Sequence, residues 1–296
     1  MVSVDICICT FRRPFLAETL RSVAALAVED VAVRIIIADN DVTPSARALV
    51  ETAQQGLAWP ITYLHAPSAN ICIARNACLD AASADFVAFI DDDETVSPQW
   101  LGQLLATAQA SGADAVLGPV RAIYDPATPG WMVRGDFHST APVVRDGVIS
   151  TGYTCNVLIR RTEPFAALRF NLALGKSGGE DTDYFHRLTA LGGTIVQAPE
   201  ALVYEPVPPD RAAMGWLIRR RLRMGQTHGM LLGGARPKAI AIATAKAVSC
   251  MAMAGLTAFS PINRRKNLLR AVLHMGVVGG IVGVRQAAHY GEAATR

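Results

Sequence analysis

Four consecutive carboxylates, Asp91-Asp92-Asp93-Glu94, close an apolar run, Phe86-Val87-Ala88-Phe89-Ile90, that reads as a buried strand. Neighbouring carboxylates about 4 Å apart repel by ~1 kcal/mol in water, and by several-fold more in a less polar cleft. A hard divalent cation held through oxygen is the natural partner for such a run. A solvated acidic turn before the next helix is the plain alternative. A second acidic group, Glu180-Asp181-Thr182-Asp183, follows Gly178-Gly179 at a helix start. Carboxylates there satisfy helix amides and the dipole, worth about 0.3–2 kcal/mol. Three acids in four positions exceed what one cap needs, and general-base chemistry becomes the reading. Further polar groups end two strands, Thr10-Phe11-Arg12-Arg13 and Asp39-Asn40-Asp41, and Arg75 sits on a helix. Taken singly, Asp39 also suits a turn and Arg75 a helix surface.

The elements that must position these groups alternate. Strands are expected over 2–9, 33–38, 61–64 and 86–90, separated by helices beginning near Pro14, at Thr43-Pro44 and at Asn70, with another after Ser97-Pro98. This order predicts an α/β fold with a mainly parallel sheet and helices on both faces, and in such sheets ligands gather at the carboxyl ends of the strands. From residue 113 the order is mixed: a strand over 113–120, a proline-bearing loop over 124–150 and a strand over 154–160 are expected. A helix to about 190 and a strand over 194–197 follow. The prolines at 206–209 suggest a boundary.

The stretches I-C-T-F-R-R-P (8–14), I-I-I-A-D-N-D (35–41), A-N-I-C-I-A-R-N-A (69–77), F-I-D-D-D-E (89–94) and G-G-E-D-T-D-Y-F-H-R (178–187) together resemble inverting family 2 glycosyltransferases of the GT-A (Rossmann-like) fold. The resemblance covers about residues 1–205. It implies a nucleotide-sugar donor, expected to be a UDP-sugar, with Mg²⁺ or Mn²⁺ as cofactor. On the family's D-x-D pattern Asp93 is the metal ligand and Asp91 the ribose contact, with the role of Asp92 at the nucleotide left open. Asp39 is the expected uracil partner, with Thr10, Arg12 and Asn40 in the same pocket, and Arg75 is expected to face the nucleotide or its phosphates. Asp181 is the expected base, with Glu180 second. Relatives carry a histidine near the final strand; here Val203-Tyr204-Glu205-Pro206 stands there, leaving Glu205 or nothing in that place.

Two other functions share parts of this pattern. Asp91-Asp92-Asp93-Glu94-Thr95 also satisfies the D-x-D-x-T motif of haloacid-dehalogenase phosphatases, but that motif belongs on a first strand, and three β–α units precede it here. A non-catalytic membrane scaffold is the other.

Composition divides the chain. Residues 1–210 carry 14 Lys/Arg and 24 Asp/Glu, a net of −10; residues 211–296 carry 14 Lys/Arg and one acid, Glu292, a net of +13. The expected division is a catalytic domain over 1–205 and a basic helical, membrane-associating region over 206–296. Trp216 to Met224 reads as a cationic amphipathic helix, on which Arg219, Arg220 and Arg223 share a face and could meet donor phosphates, a lipid diphosphate or headgroups. The segments 239–260 and 268–284 are apolar but carry charge, which favours helices lying in the membrane interface over spanning ones. The alanine, leucine and methionine content favours an anionic membrane surface over nucleic acid as partner. The tail resembles bacterial exopolysaccharide enzymes that extend lipid-linked sugars, implying a lipid-linked or glycan acceptor at the cytoplasmic face of the inner membrane. The first residues are strand-like and suggest no secretory signal. The six cysteines show no ligand spacing and are expected to be free thiols.

Overall fold

A computed structural model describes residues 1–232 and 237–284. Strands β1 (Val2–Thr10), β2 (Val31–Asp39), β3 (Ile61–His65) and β4 (Phe86–Asp91) run parallel in the order β3-β2-β1-β4. Three helices connect them: α1 (Leu16–Ala24), α2 (Arg47–Gln54) and α3 (Ile71–Ala81). Side chains alternate across each strand, so Val4, Ile6 and Ile8 face one helical layer while Cys7, Ile36, Val87 and Phe89 face the other. Both faces are therefore apolar, as a sheet covered on both sides requires. Each fully buried Ile, Val or Leu contributes about 1.5–3 kcal/mol over its exposed state.

Beyond β4 the chain forms β5 (Thr95–Val96), α4 (Trp100–Ser111), β6 (Ala115–Leu117), β7 (Val120–Tyr124), α5 (Gly130–Gly135), β8 (Asn156–Arg160), α6 (Glu180–Ala190), β9 (Ile195–Gln197) and β10 (Val203–Val207). The main sheet continues β4-β8-β6-β9, with β8 antiparallel to both β4 and β6. The expected 113–120 strand is split at Gly118-Pro119. Proline offers no ladder N–H, and a side chain on Gly118 would stand 2.4 Å from the Ala201 carbonyl. β7 leaves the main sheet for a smaller one ordered β5-β10-β7. The expected long loop over 124–150 holds the short helix α5.

The expected boundary after residue 205 falls inside β10. Pro206 is tolerated there because β5 pairs only with Val203 and Tyr204, leaving the rest of β10 one-sided. Three helices follow: α7 (Met214–Leu231), α8 (Pro237–Leu256) and α9 (Pro261–Ile281). α7 is longer than the expected 216–224 and does not lie free: Leu217 packs with Met132, Phe137 and Leu269. α8 exposes Ile242, Val248, Met251, Met253 and Leu256, and Phe259 stands out in the turn after it. Among the described residues α8 alone is long and apolar enough to cross a membrane. The second apolar segment largely corresponds to α9, whose Gly276, Val277, Gly280 and Ile281 are buried. Residues 233–236 and 285–296 of the expected basic region, Glu292 included, lie outside the described residues.

Candidate active site

β1 is the strand at which the order reverses, with β2 on one side and β4 on the other, and the register aligns their ends: Thr10 opposite Asp39 and Cys9 opposite Asp91. The polar groups that follow the strands are therefore delivered to one rim, the switch point where open α/β sheets bind ligands.

Asp92 ties that rim together. Its Oδ2 accepts from the Thr10 hydroxyl at 2.8 Å and from the Phe11 amide at 3.3 Å, and its backbone carbonyl accepts from the Thr19 hydroxyl at 3.2 Å. Burial, with Asp93 alongside, pushes its carboxyl up to about 7. Thr10, expected in the nucleotide pocket, is itself buried and spends its hydroxyl on this link.

Asp93 lies between Arg13 Nη2 at 3.4 Å and Arg211 Nη2 at 3.6 Å, and Arg13 Nε stands 3.6 Å from Asp92 Oδ1 as well. Both Asp93 separations exceed the roughly 2.7–2.9 Å of a tight charge-assisted bond, so its oxygens keep acceptor capacity in reserve. Asp91 is 43% exposed; desolvation within the cleft raises it to about 6 although Arg75 lies 3.8 Å away. Glu94 is buried, accepts from the Asp91 amide at 2.9 Å, and is held well above the usual carboxylate range by burial and by Asp91. Asp91, Glu94 and Cys155 bring ligand atoms within 4.8 Å of one another, but Glu94 is already engaged and a thiol is a poor ligand for a hard ion. Asp91 and Asp93 are the fitting pair. Both offer oxygen at an open edge, and the carboxyls around them outnumber the guanidiniums, which suits Mg²⁺ or Mn²⁺.

Asp39 is completely buried. Its Oδ1 accepts from the Asp41 amide, and its Oδ2 from the Ala46 amide and the Tyr63 hydroxyl, at 2.7–3.0 Å. Asn40 Oδ1 accepts from Ser68 Oγ at 2.9 Å and the Asn70 amide at 3.3 Å, fixing the approach to α3. Arg12, with φ 52°, forms a two-pronged pair with Asp41 at 2.9 Å, and the guanidinium holds that carboxyl down at about 2. These groups follow the carboxyl end of β2 at the same rim, but the carboxylate of Asp39 is occupied by the protein.

Arg75 differs from its expected place. Asn70 caps α3 by accepting from the Cys72 amide, and one turn on Arg75 turns inward, where it is 5% exposed and pairs with Glu180 as well as Asp91. Two carboxylates brought together in the cleft floor require such a cation, so its charge is spent inside the protein.

The acidic pair at the start of α6 is divided. Glu180 is sealed against Arg75, whereas Asp181 is half-buried, with Oδ1 accepting from its neighbour's amide at 2.6 Å. Desolvation, then the charge of Glu180, raises Asp181 to about 7. Asp183 pairs with Arg187 at 2.8 Å, a structural role. Gly179 precedes the pair at φ +88°, and a side chain there would stand 2.6 Å from Thr227 of α7. The basic helical region thus packs against the loop that carries Asp181.

Sequence reasoning passed over Arg13, Arg211 and His138. Arg211 also donates to Glu205 at 2.8 Å, and burial with Asp93 nearby raises Glu205. His138, lowered by burial, stacks on Trp216 at 5.3 Å with Nε2 3.0 Å from the Arg211 carbonyl, fixing that turn. Arg13 was visible as the second half of an Arg-Arg pair; the Pro-Pro-Asp-Arg turn gave no local hint of Asp93. Of the three arginines expected to share a face, Arg220 lies over Trp216 and reaches His138 O and Thr140 Oγ1 at 3.3 Å, Arg219 is exposed, and Arg223 is half-buried.

A mainly parallel GT-A-like sheet with an acidic rim at its switch point defines the class, and sequence comparison agrees: the description "Glycosyl transferase family 2" matches residues 5–163. The chain belongs to glycosyltransferase family 2 and is a glycosyltransferase. It is 54% identical over 295 residues to the succinoglycan biosynthesis protein ExoM of Rhizobium meliloti (strain 1021), covering 97% of this chain and 96% of that protein. The mannosyltransferase PcManGT of Pyrobaculum calidifontis, solved with GDP-Man and Mn²⁺, shares the fold at TM-score 0.64 and 17% identity, over 95% of this chain and 88% of that one. TarS residues 1–349 of S. aureus align at TM-score 0.54 and 17% identity, over 92% and 90%. The family assignment removes the phosphatase and scaffold readings.

Proposed function

We propose that this protein is a metal-dependent, inverting glycosyltransferase that moves a sugar from a nucleotide-sugar to a lipid-linked or glycan acceptor, in bacterial exopolysaccharide synthesis of the succinoglycan type. The observation that carries the proposal is the split of the acidic groups: Asp91 and Asp93 on one rim with acceptor capacity free, and Asp181 on another loop held near neutral pKa. When bound, the divalent ion supplies Lewis-acid neutralisation of the leaving diphosphate. Asp93 would hold it, with Asp91 beside it toward the ribose. Arg13 and Arg211 keep the Asp93 carboxylate aimed at the cleft. Asp181 takes the acceptor hydroxyl's proton on the face opposite the leaving group, which inversion requires, and a base poised near 7 is matched to that task. Glu180 supports this by raising Asp181, while Arg75 pairs with Glu180 beneath the site.

The resemblance favours a uridine donor. The relative solved with GDP-Man makes guanosine the comparison to run. The exposed apolar side chains of α8 and the basic charge around them support association of the 206–296 region with an anionic membrane surface, at the cytoplasmic face where nucleotide-sugars are available. The deciding experiment is nucleotide release from panels of UDP- and GDP-sugars, with Mg²⁺ or Mn²⁺ and extracted membrane acceptor. Metal-independent release, or none with any nucleotide-sugar, would sink the reading.

A further inference from the structure

A cleft of about 300 Å³ lies on the seam between α7 and α9, behind the wall formed by α5 and the residues after it. Lys266, Arg270 and Leu273 project into it from one face of α9, at helical spacing, and Arg221 enters from α7. Phe137 closes the back, with the Lys266 ammonium 5.9 Å from its ring. None of the three cations forms an ion pair with a carboxylate among the described residues. Among the described residues Arg221 meets the Met224 sulfur at 3.9 Å. One carboxylate, that of Asp136, lines the same cleft. Three positive charges against the single carboxylate of Asp136 leave the cleft with an excess of positive charge, and burial together with Arg220 and Arg270 holds Arg221 below the usual arginine range. A cleft built this way is completed by an anion. Its walls are half apolar, through Phe137 and Leu273, which suits an anion carried on an organic ester.

The position of the cleft indicates the source. α9 begins just after the exposed turn that bears Phe259, and Lys266 to Arg270 follow seven to eleven residues later, within roughly 10–17 Å along a helix rising about 1.5 Å per residue. If Phe259 and the apolar face of α8 enter the membrane surface, the cleft stands at headgroup depth. We propose that Arg221, Lys266 and Arg270 form a binding site for the phosphate ester of an anionic membrane lipid, separate from the nucleotide-sugar site. The choice of a lipid as the source rests on the membrane-facing reading of α8; the existence of the anion site does not.

The test uses the full chain and isothermal titration calorimetry with short-chain phosphatidylglycerol below its micelle concentration, so that no membrane is needed. Inorganic phosphate and phosphatidylcholine of the same chain length are the other arms. Saturable binding of one phosphatidylglycerol per chain is expected, weakened at least fivefold by Lys266→Gln and by Arg270→Gln and more by Arg221→Gln. Arg264→Gln removes the same charge from α9 outside the cleft and should stay within twofold of the parent. Lys266 and Arg270 are exposed, so their variants report on the site even if Arg221→Gln proves unstable. Absence of saturable binding, or an equal loss in Arg264→Gln, overturns the site. Inorganic phosphate binding as tightly as the lipid overturns the lipid assignment. Flotation on phosphatidylglycerol vesicles tests the α8 reading separately: failure there with success in calorimetry removes the membrane reading and leaves the site.

Discussion

Glu180 and Arg75 form an enclosed ion pair, 2% and 5% exposed, and the remaining oxygen of Glu180, Oε2, is buried with no hydrogen-bond partner among the described residues. The pair spans the site: Arg75 comes from α3 and also reaches Asp91 at the end of β4, while Glu180 begins the helix whose next residue is Asp181. One guanidinium therefore couples the rim that would hold the donor to the loop that would hold the base. Removing it strands the buried carboxylate of Glu180 and leaves the more exposed Asp91 without its cation. Arg75→Ala should destabilise the protein by about 3–5 kcal/mol, the usual cost of breaking a buried pair from one side. Adding Glu180→Gln to Arg75→Ala should recover part of that loss. A denaturant-unfolding cycle over the four proteins measures both.

Asp92 and Asp93 are neighbours with opposite expected phenotypes. Asp92 holds the ends of β1 and β4 together through Thr10 and Phe11, so Asp92→Ala should cost about 1–3 kcal/mol by leaving a buried hydroxyl unpaired. Asp93 makes only long contacts to two arginines, and Asp93→Ala should leave the melting temperature close to that of the parent. Its turnover should fall on the order of 10²–10³-fold, the scale on which removing one preorganised electrostatic group acts, and Mn²⁺ should no longer raise its melting temperature. Melting curves with and without metal, together with nucleotide release, separate the two roles. Full turnover in Asp93→Ala would refute the metal assignment.

Asp181 gives a pH prediction with a definite sign. Desolvation and Glu180 raise its carboxyl from an ordinary value of 3.8 to about 7. Below pH 7 the base is protonated, so kcat/KM should rise about tenfold per pH unit up to about 7 and then level. Stability runs the opposite way. The folded state holds this proton more tightly than the unfolded chain, so the favourable contribution is complete below about pH 4 and is lost as pH climbs to about 7. Asp181→Asn should therefore be inactive yet melt higher than the parent at pH 8, with the gap closing at pH 4. A variant that melts lower at pH 8 would contradict the buried-acid account.

The parallel half of the fold was legible because its strands are short apolar runs, with a proline in the turn before α1, α2 and α4 and a polar cap, Asn70, on α3. The acidic runs around Asp93 and Asp181 stood out as candidates because carboxylates crowd there beyond what turns and caps need, and the choice of these two members came from the family resemblance. What was not legible depends on contacts distant in sequence. That Asp92 faces Thr10, that Arg75 faces Glu180 and that Arg211 reaches Asp93 follow from register and packing, which local pattern does not encode. The split of 113–120 could have been read from Gly118-Pro119 alone. The inclusion of Pro206 in a strand could not, because it depends on how short β5 is. The charge of the basic region pointed to a membrane, whereas the close approach of the α7 and α9 glycines depends on packing that composition does not carry.

Those glycines give the last prediction. Gly225 and Gly229 of α7 face Gly276 and Gly280 of α9, a four-residue repeat on each helix that lets the backbones touch. A side-chain carbon on Gly225 would stand 2.0 Å from the Leu273 carbonyl and 2.9 Å from the Gly276 Cα. Both obstacles are backbone, which cannot turn aside, so the helices must part. Gly225→Ala should then destabilise by about 1–3 kcal/mol, the range for overpacking, despite alanine's better helix propensity. Gly102 of α4 is the control: nothing lies within 4 Å of its added carbon, and Gly102→Ala should gain up to about 1 kcal/mol. Activity should fall with Gly225→Ala as well, because Thr227, two residues further along α7, abuts Gly179 directly before Glu180 and Asp181. If α7 buttresses that loop, kcat drops while donor KM holds, since the Asp91–Asp93 rim is untouched. A loss confined to donor KM would place the contribution of α7 on the nucleotide side instead.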